Sequence, residues 1–228
     1  MVVRRQLGEE LDQLTERILF MGGLVESAVQ KGLRAALERQ PGLAQSVIGE
    51  IEPEINALEL EIDRRALDLM ALQQPMAVDL RFVAAALKIS NDLERMGDLA
   101  VNIAEGTPRL LSQSHNLPAV DLPLMSRLST QMLRSALDAL VRRDSGLARQ
   151  VLVSDDQVDT MRDEIFDELM RAMARTPERI EACVALMFLA RNLERIADHA
   201  TNIAEDVIFW VEGVDVRHHS AEAPGAAH

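Results

Sequence analysis

Two stretches that lie 100 residues apart decide the fold: DLERMGDLAVNIAE at residues 92–105 and NLERIADHATNIAE at residues 192–205. Nine of the fourteen positions are identical in the two stretches, which indicates an internal duplication. Each stretch also spaces its apolar residues by three and four, which is the period of an amphipathic helix. The sequence therefore predicts two copies of one helical unit.

Outward from each stretch, the same periodicity predicts two further helices upstream. Stop and start signals separate them: Pro41-Gly42 and Gln74-Pro75 in the first copy, and Asp144-Ser145-Gly146 and Thr176-Pro177 in the second. Thr176 is expected to be an N-cap, with proline at the first helical position. The predicted helices cover about 7–39, 43–72, 76–111, 122–143, 147–174 and 176–211. The expected fold class is all-α, with six long helices in two tandem three-helix bundles.

A proline-rich segment marks the boundary between the two units. Pro108, Pro118 and Pro123 mark the linker between the third and fourth predicted helices. We therefore predict a first bundle over residues 1–115 and a second over 116–213. A mobile C-terminal tail, rich in Ala, His and Pro, is expected over 214–228.

Composition limits the classes of function. Apolar residues make up 48% of the chain and aromatic residues only 3%, which favours helix-on-helix packing. The formal net charge of −13 disfavours nucleic acid and anionic membrane surfaces as partners. The longest apolar run, 182–190, is about half of a membrane-spanning helix, and no signal peptide precedes the first helix. We expect a cytoplasmic protein without direct membrane insertion, in which the single cysteine, Cys183, is a packed thiol.

The two third helices repeat three lines of residues. A heptad seam of large apolar residues is expected to form the core, as from Leu186 to Trp210. A second line holds only small residues and is predicted to allow the two bundles to approach closely: Ser90, Gly97 and Ala104, and Ala190, Ala197 and Ala204.

The third line is polar, spans about 80° of each helix and is expected to face away from the core of its own bundle. The first stripe consists of Asn91, Glu94, Asp98, Asn102 and Glu105, and the second of Arg191, Glu194, Asp198, Asn202 and Glu205.

The stripes have two interpretations. Glu94 and Asp98 lie one helical turn apart, so their like charges repel, and a bound cation would offset that repulsion. Carboxylate and amide oxygens suit hard cations, and iron, manganese, magnesium, calcium and zinc are all considered. The predicted metal ligands are Glu94, Asp98, Asn102, Glu194, Asp198 and Asn202. Further donors would come from a neighbouring subunit or from the second helices, at Asn56, Asp63 and Asp159.

The ordinary interpretation is that each stripe is a solvated charged face, whose repulsion between like charges is reduced by the neighbouring Arg95, Arg191 and Arg195. Recurrence of Glu, Asp, Asn and Glu in both copies is the argument for binding. A di-iron oxidase of the ferritin kind would need inward Glu-x-x-His pairs, and the sequence contains none. A phosphate loop of the GxxxxGK[ST] type is also missing from the sequence. We therefore predict a protein without catalytic residues or an organic cofactor.

The sequence resembles the PhoU family, the cytoplasmic negative regulators of high-affinity phosphate uptake. The resemblance rests on MGGLVE (21–26), QPMAVDLRFV (74–83), LERMGDLAVNIAE (93–105), LERIADHATNIAE (193–205) and IFWVEG (208–213), and it covers the chain except for the tail. It implies paired three-helix bundles with a metal-holding motif of Glu or Asp followed four residues later by Asp, here Glu94 to Asp98 and Glu194 to Asp198. Ala197 departs from the family, which commonly has the glycine seen at Gly97.

The resemblance also implies partners. PhoU-like proteins contact the ATPase subunit of the phosphate ABC transporter and the phosphate-sensing histidine kinase, and they keep the phosphate-starvation response off when phosphate is plentiful. The leading hypothesis is such an adaptor, with a surface metal site on each bundle and a homodimeric state. Two alternatives stay open: a metal-binding helical protein whose metal occupancy is the signal, and a purely structural helical dimer.

Overall fold

The computed structural model describes residues 2–107, 110 and 118–217 of the chain. The first unit contains α1 (Val2–Leu37), α2 (Pro41–Ser46), α3 (Glu52–Gln73) and α4 (Val78–Glu105). The second contains α5 (Leu122–Arg142), α6 (Ser145–Arg175) and α7 (Ile180–Glu212). Every regular element in this described part of the chain is helical, so the predicted all-α fold with an internal repeat is confirmed.

A single π-helical turn, Val47–Ile51, joins α2 to α3 and makes them one continuous rod. The internal repeat explains it, because Gly42 matches Gly146 at an offset of 104 whereas Ile55 matches Val158 at 103. The first copy therefore carries one extra residue within this helix. A π-turn accommodates one extra residue without changing the helical face that follows.

Local signals place most helix ends close to their predicted positions. Gln74 adopts the left-handed conformation that commonly follows the last residue of a helix, and Pro75 comes next, so α3 ends where the sequence predicts. Pro123 lies inside the first turn of α5 rather than in the linker, and the side chain of Asp121 caps that turn by accepting the N–H of Leu124 at 2.9 Å. Residues 108, 109 and 111–117, where the predicted linker falls, lie outside the described residues.

The start of the sixth predicted helix differs from the prediction. Thr176 makes no capping hydrogen bond with its side chain, and a 3₁₀ turn, Pro177–Arg179, precedes α7. The second copy has three fewer residues than the first between its second and third helices, because the repeat offset falls from 103 to 100 across this connection. The tighter turn accommodates the shorter connection.

The apolar seams of α4 and α7 form the core, as predicted. Ile89, Leu93, Leu193 and Ile196 are completely buried, and so is Cys183, in agreement with a packed thiol. Within each unit the three rods pack against one another, and the two units meet chiefly along α4 and α7, with a smaller contact between α1 and α5. Contacts from Lys88 to Asp206 and from Asp92 to Asn202 show that α4 and α7 run antiparallel.

The line of small residues does not lie where it was predicted. A methyl group added at Gly97 would meet the side chain of Ile55 on α3 at 3.2 Å, so this line faces the second helix of its own bundle. The hydroxyl of Ser90 likewise lies 3.4 Å from the carboxylate of Asp63 on α3. Periodicity identified a close-packing line correctly but could not tell which neighbouring helix it contacts.

Candidate functional site

The central carboxylates of the first stripe, Glu94 and Asp98, lie on the side of α4 that faces α3. Glu94 is partly buried there, and burial, followed by the neighbouring charge of Asp98, raises the pKa of its carboxyl. Glu59 and Glu52 on α3 add to this rise, and only Arg95, 3.6 Å from Glu94, opposes it. Four carboxylates from two helices therefore share one groove with a single guanidinium beside them.

An amide on the same face of α3 adds an oxygen donor to the first stripe. Asn56 lies between Glu52 and Glu59 at helical spacings of four and three, and its Nδ2 donates to Glu52 at 2.6 Å. Its Oδ1 is buried and has no hydrogen-bond partner. A buried carbonyl oxygen without a donor costs about 1–3 kcal/mol, which a bound cation would offset. The donor set of carboxylates and one amide fits a hard cation.

The second stripe has the same carboxylates but a different partner. Glu194 lies 2.8 Å from the guanidinium of Arg162 on α6, which also lies 3.7 Å from Asp159 and 2.9 Å from Asp163. In the internal repeat Arg162 stands where the first copy has Glu59, at the offset of 103 that relates Ile55 to Val158. A fixed cation of the chain itself thus occupies the second groove.

A partly buried aspartate on α6 completes the second acidic cluster. Burial, followed by the neighbouring charges of Asp198 and Asp159, raises the pKa of Asp155 to about 6. Burial and then Asp198 also raise the pKa of Glu194, while Arg162 opposes that rise. Asp155 corresponds to Glu52 in the repeat, so each second helix contributes an acidic residue and, four residues later, Asn56 or Asp159.

No residue of either stripe is fully buried, so both stripes face away from the cores of their own bundles, as predicted; what the prediction did not give is the helix that lies beside their carboxylates. Each stripe lies against the second helix of its own bundle, and Asn56 and Asp159 are on the stripe side of that helix. Asp63, the other predicted donor, instead lies beside Ser90, farther along α4. Sequence reasoning missed Glu52, Glu59 and Asp155. The acidic residues Glu52 and Asp155 repeat at the offset of 103 and could have been identified, whereas Glu59 aligns with Arg162.

The two predicted asparagine ligands, Asn102 and Asn202, make their contacts away from the carboxylates of their own stripes. Nδ2 of Asn202 donates to Asp92 across the contact between bundles at 3.2 Å, and Nδ1 of His199 lies 2.7 Å from the same carboxylate. Asn102 is exposed and lines a groove with Arg191 and Asn192. Neither asparagine makes a hydrogen bond with the glutamate or aspartate of its own stripe.

Among the described residues, no group of three or more His, Cys, Asp or Glu side chains is arranged so as to hold a metal ion. A cation at Glu94 and Asp98 would therefore draw the facing side chains of α3 toward it. No helix in that same part of the chain has the length and hydropathy needed to cross a bilayer.

The fold and the two acidic grooves define a class: duplicated three-helix bundles with a carboxylate stripe on each third helix. Comparison with known proteins identifies the family, because residues 18–107 and 122–207 each match the model of the PhoU domain. The chain belongs to the PhoU family.

Relatives and solved structures agree with this assignment. The chain is 43% identical to a phosphate-specific transport system accessory protein PhoU homolog of Zymomonas mobilis, covering 90% of this chain and 86% of that protein. A homolog with the same description in Caulobacter vibrioides is 42% identical, covering 93% and 92%. The crystal structure of PhoU from Pseudomonas aeruginosa superposes with a TM-score of 0.85 at 36% identity, covering 91% of this chain and 99% of that one.

A PhoU of lower identity has the same fold. The phosphate transport system regulatory protein PhoU from Streptococcus pneumoniae superposes with a TM-score of 0.85 at 29% identity, covering 92% of this chain and 99% of that one. The duplicated bundle is therefore retained although most side chains differ.

Proposed function

We propose that this protein is a negative regulator of high-affinity phosphate uptake and of the phosphate-starvation response. The observation that carries the proposal is the 42% identity to a curated phosphate transport accessory protein over nearly the full length of both chains. Matches of this extent include both bundles and the connection between them. A regulator of this kind acts by binding, which agrees with a chain in which sequence reasoning found no catalytic arrangement.

The proposed mechanism is that of an adaptor at the cytoplasmic side of the membrane. It contacts the ATPase subunit of the phosphate ABC transporter and the phosphate-sensing histidine kinase, and it holds the kinase inactive while phosphate is plentiful. The formal net charge of −13 suits docking on basic partner surfaces, since complementary charge speeds association and excludes wrong partners.

A deletion strain tests the proposal directly. Loss of the protein is expected to give constitutive expression of a phosphate-repressed reporter in phosphate-rich medium, and the wild-type gene in trans restores repression. A variant with Glu94, Asp98, Glu194 and Asp198 changed to Ala asks whether the stripes contribute. Normal repression in the deletion strain would falsify the regulatory assignment.

We further propose that the stripes hold metal ions. In the first groove Glu52, Asn56, Glu59, Glu94 and Asp98 would bind the ion, and iron, manganese, magnesium, calcium and zinc remain the options. When bound, the ion supplies positive charge between two helices that otherwise repel each other. The residues then hold α3 and α4 together, which stabilises the surface that partners contact.

A second function follows from the same groove. Because burial and the neighbouring Asp98 raise the pKa of Glu94, the metal-free first stripe binds protons more readily than an isolated carboxylate does, and a cation would compete for the same oxygens. Metal occupancy would then be the signal rather than a structural support. Reporter expression measured across manganese and iron concentrations at constant phosphate separates the two functions, since only a metal sensor responds.

The protein is also proposed to form a homodimer. Light scattering coupled to size exclusion is expected to report about twice the chain mass of 25.3 kDa. A monomer at micromolar concentration would contradict this part of the proposal and leave the regulatory assignment intact.

A further inference from the structure

A second groove lies beside the contact between the two bundles, and Glu59 lies between it and the first acidic groove. We call it the Asp206 groove; it encloses about 660 Å³. Its acidic lining includes Glu59, Asp63, Asp92 and Asp206, and Leu67 and Leu87 form an apolar ledge. The side chain of Leu67 is 58% exposed, so the ledge is open to a binding partner.

The carboxylate at the bottom of this groove is buried, and cations are gathered around it. Asp206 is only 1% exposed, and Nζ of Lys88 lies 3.4 Å from its Oδ1. Arg217 makes a second ion pair with the same oxygen, and its Nε lies 3.5 Å from Glu205. Burial raises the pKa of Asp206 to about 6, opposed first by Arg217 and then by Lys88.

Arg217 reaches the groove because the chain folds back after α7. The helix ends at Gly213, whose φ of 75° is left-handed and is readily adopted by glycine. The backbone N–H of Arg217 then donates to the carboxylate of Asp215 at 3.0 Å, which orders the return. These residues belong to the segment predicted as a mobile tail, of which residues 218–228 lie outside the described part.

The other bundle shows that the fold itself does not require Asp206. The offset of 100 places Gly106 at the equivalent position and Phe188 at the position of Lys88. A groove of about 400 Å³ is lined by these residues and by Asn102 and Arg191. A buried carboxylate is costly unless it is paired, and in the Asp206 groove Lys88 and Arg217 are the two cations that pair with it. Of the two, Arg217 comes from the segment after α7 rather than from the bundle, so a guanidinium from another chain can take its place.

We propose that the Asp206 groove receives an arginine side chain from a basic segment of a partner protein, and that Arg217 occupies it in the free protein. A guanidinium matches a carboxylate with two parallel hydrogen bonds, and it is the group the chain itself places there. The apolar ledge selects an arginine with apolar neighbours. The inference does not depend on the metal stripes or on which protein supplies the segment.

The test uses the full chain without a C-terminal tag and a fluorescent peptide with one arginine between two leucines. The control peptide carries citrulline, the neutral analogue of arginine, at the same position. Fluorescence anisotropy at low salt is expected to show binding of the arginine peptide only. Arg217→Gln removes the internal competitor and is expected to tighten binding of the peptide about tenfold. This is the change expected if Arg217 occupies the groove in about nine-tenths of the wild-type molecules, because only the remaining tenth can bind the peptide.

Two further variants distinguish the groove from general acidity. Asp206→Asn is expected to abolish binding, whereas Glu105→Gln in the equivalent groove leaves it unchanged. If circular dichroism shows that Asp206→Asn does not fold, the Arg217→Gln result decides alone. Equal affinity for both peptides, unchanged affinity in Arg217→Gln, or no binding by any variant overturns the proposal. Loss of a dimer in Arg217→Gln also overturns it, because Arg217 would then serve a second copy.

Discussion

The two acidic grooves come from one duplicated unit but differ in charge at a single decisive position. In the first groove Glu59 adds a negative charge beside Glu94, and in the second Arg162 forms a 2.8 Å ion pair with Glu194. The carboxylates of the third helices were retained in both copies while the second helices diverged. One groove is therefore left in need of a cation, and the other contains its own.

This difference separates two roles that a duplicated site can acquire. A groove with unneutralised carboxylates is expected to respond to metal, whereas a groove closed by an internal ion pair is expected to hold two helices together at all metal concentrations. On this hypothesis the two bundles of the protein are not interchangeable.

The largest expected effect is on metal binding by the first groove. Changing Glu94 to Gln and Asp98 to Asn together is expected to weaken manganese or iron binding about a hundredfold, because it removes two charged ligands. The same pair of changes at Glu194 and Asp198 has a smaller effect, since Arg162 already competes for those carboxylates. Isothermal titration of chelator-treated protein measures both.

The contrast between the two double variants is the decisive result. Equal losses of affinity would mean that Arg162 moves away freely when metal arrives, and the difference between the grooves would have no consequence. Elemental analysis of protein purified without a metal-affinity tag provides a second readout that does not depend on added metal.

Arg162→Glu should convert the second groove into a copy of the first. The change removes the partner of Glu194 and is expected to lower the stability of metal-free protein by about 1–2 kcal/mol, because it leaves partly buried carboxylates unpaired. Manganese is then expected to raise the thermal midpoint more in this variant than in the wild type. Thermal unfolding with EDTA and with manganese measures both effects.

Arg162→Gln is the matched control for charge reversal. It removes the ion pair without adding a carboxylate, so its stability should fall by a similar amount while its response to manganese stays smaller. A manganese response as large as that of Arg162→Glu would show that removal of the guanidinium, and not the added ligand, opens the groove.

The pH dependence of stability should reveal Asp155. Its folded-state pKa of about 6 lies above the ordinary 3.8, so the folded protein binds the proton more tightly than the unfolded chain does. Its stabilising contribution is fully present below about pH 4 and is lost as the pH rises through about 6. Asp155→Asn is therefore expected to stabilise metal-free protein at pH 7 by about 1 kcal/mol, a value discounted for solvent screening.

Urea unfolding at pH 4 and pH 7 measures this difference, which should vanish at the lower pH. Asp167→Asn changes an exposed aspartate elsewhere on the same helix and serves as the control for the loss of a surface charge. A stabilisation by Asp155→Asn that is independent of pH would contradict the assignment to this carboxyl.

Much of the fold could be predicted because the duplication is visible in the sequence as two similar stretches at a fixed offset. The offset of 100 between the third helices identified the repeat, and the small drift of the offset upstream corresponds in the structure to the π-turn at Val47–Ile51 and to the short connection before α7. Helix ends followed from local signals such as Gln74-Pro75. These features depend on neighbouring residues, which a single sequence displays directly.

The helix that lies beside each stripe could not be predicted in the same way. Periodicity assigns Glu94 and Asp98 to one face of α4, but which helix lies beside that face depends on how α3 packs against it. A repeat is recognised from positions at which the two copies are alike, whereas Glu59 and Arg162, which occupy equivalent positions, differ in both charge and size. The pair of residues that most distinguishes the two grooves therefore could not be found by looking for identical residues in the two copies.

The smallest expected effect tests the packing beneath the stripes. Gly97 faces Ile55, whose Cδ1 and Cγ2 would both lie 3.2 Å from an added methyl group, whereas the second bundle has Ala197 and Val158 at the equivalent positions. The valine lacks the δ-methyl of isoleucine, so one copy pairs a larger residue with glycine and the other a smaller residue with alanine. This exchange explains the departure from the family pattern at Ala197 as a packing compensation.

Gly97→Ala alone is expected to cost about 1 kcal/mol, because overpacking against Ile55 exceeds the gain in helix propensity of about 1 kcal/mol. Ile55→Val alone also costs about 1 kcal/mol through the cavity it leaves. Together they reproduce the second bundle, so the double variant should be more stable than the sum of the two changes predicts, by about 1 kcal/mol. Urea unfolding of the wild type, the two single variants and the double variant measures this coupling. Strictly additive effects would show that Gly97 is retained for a reason other than its contact with Ile55.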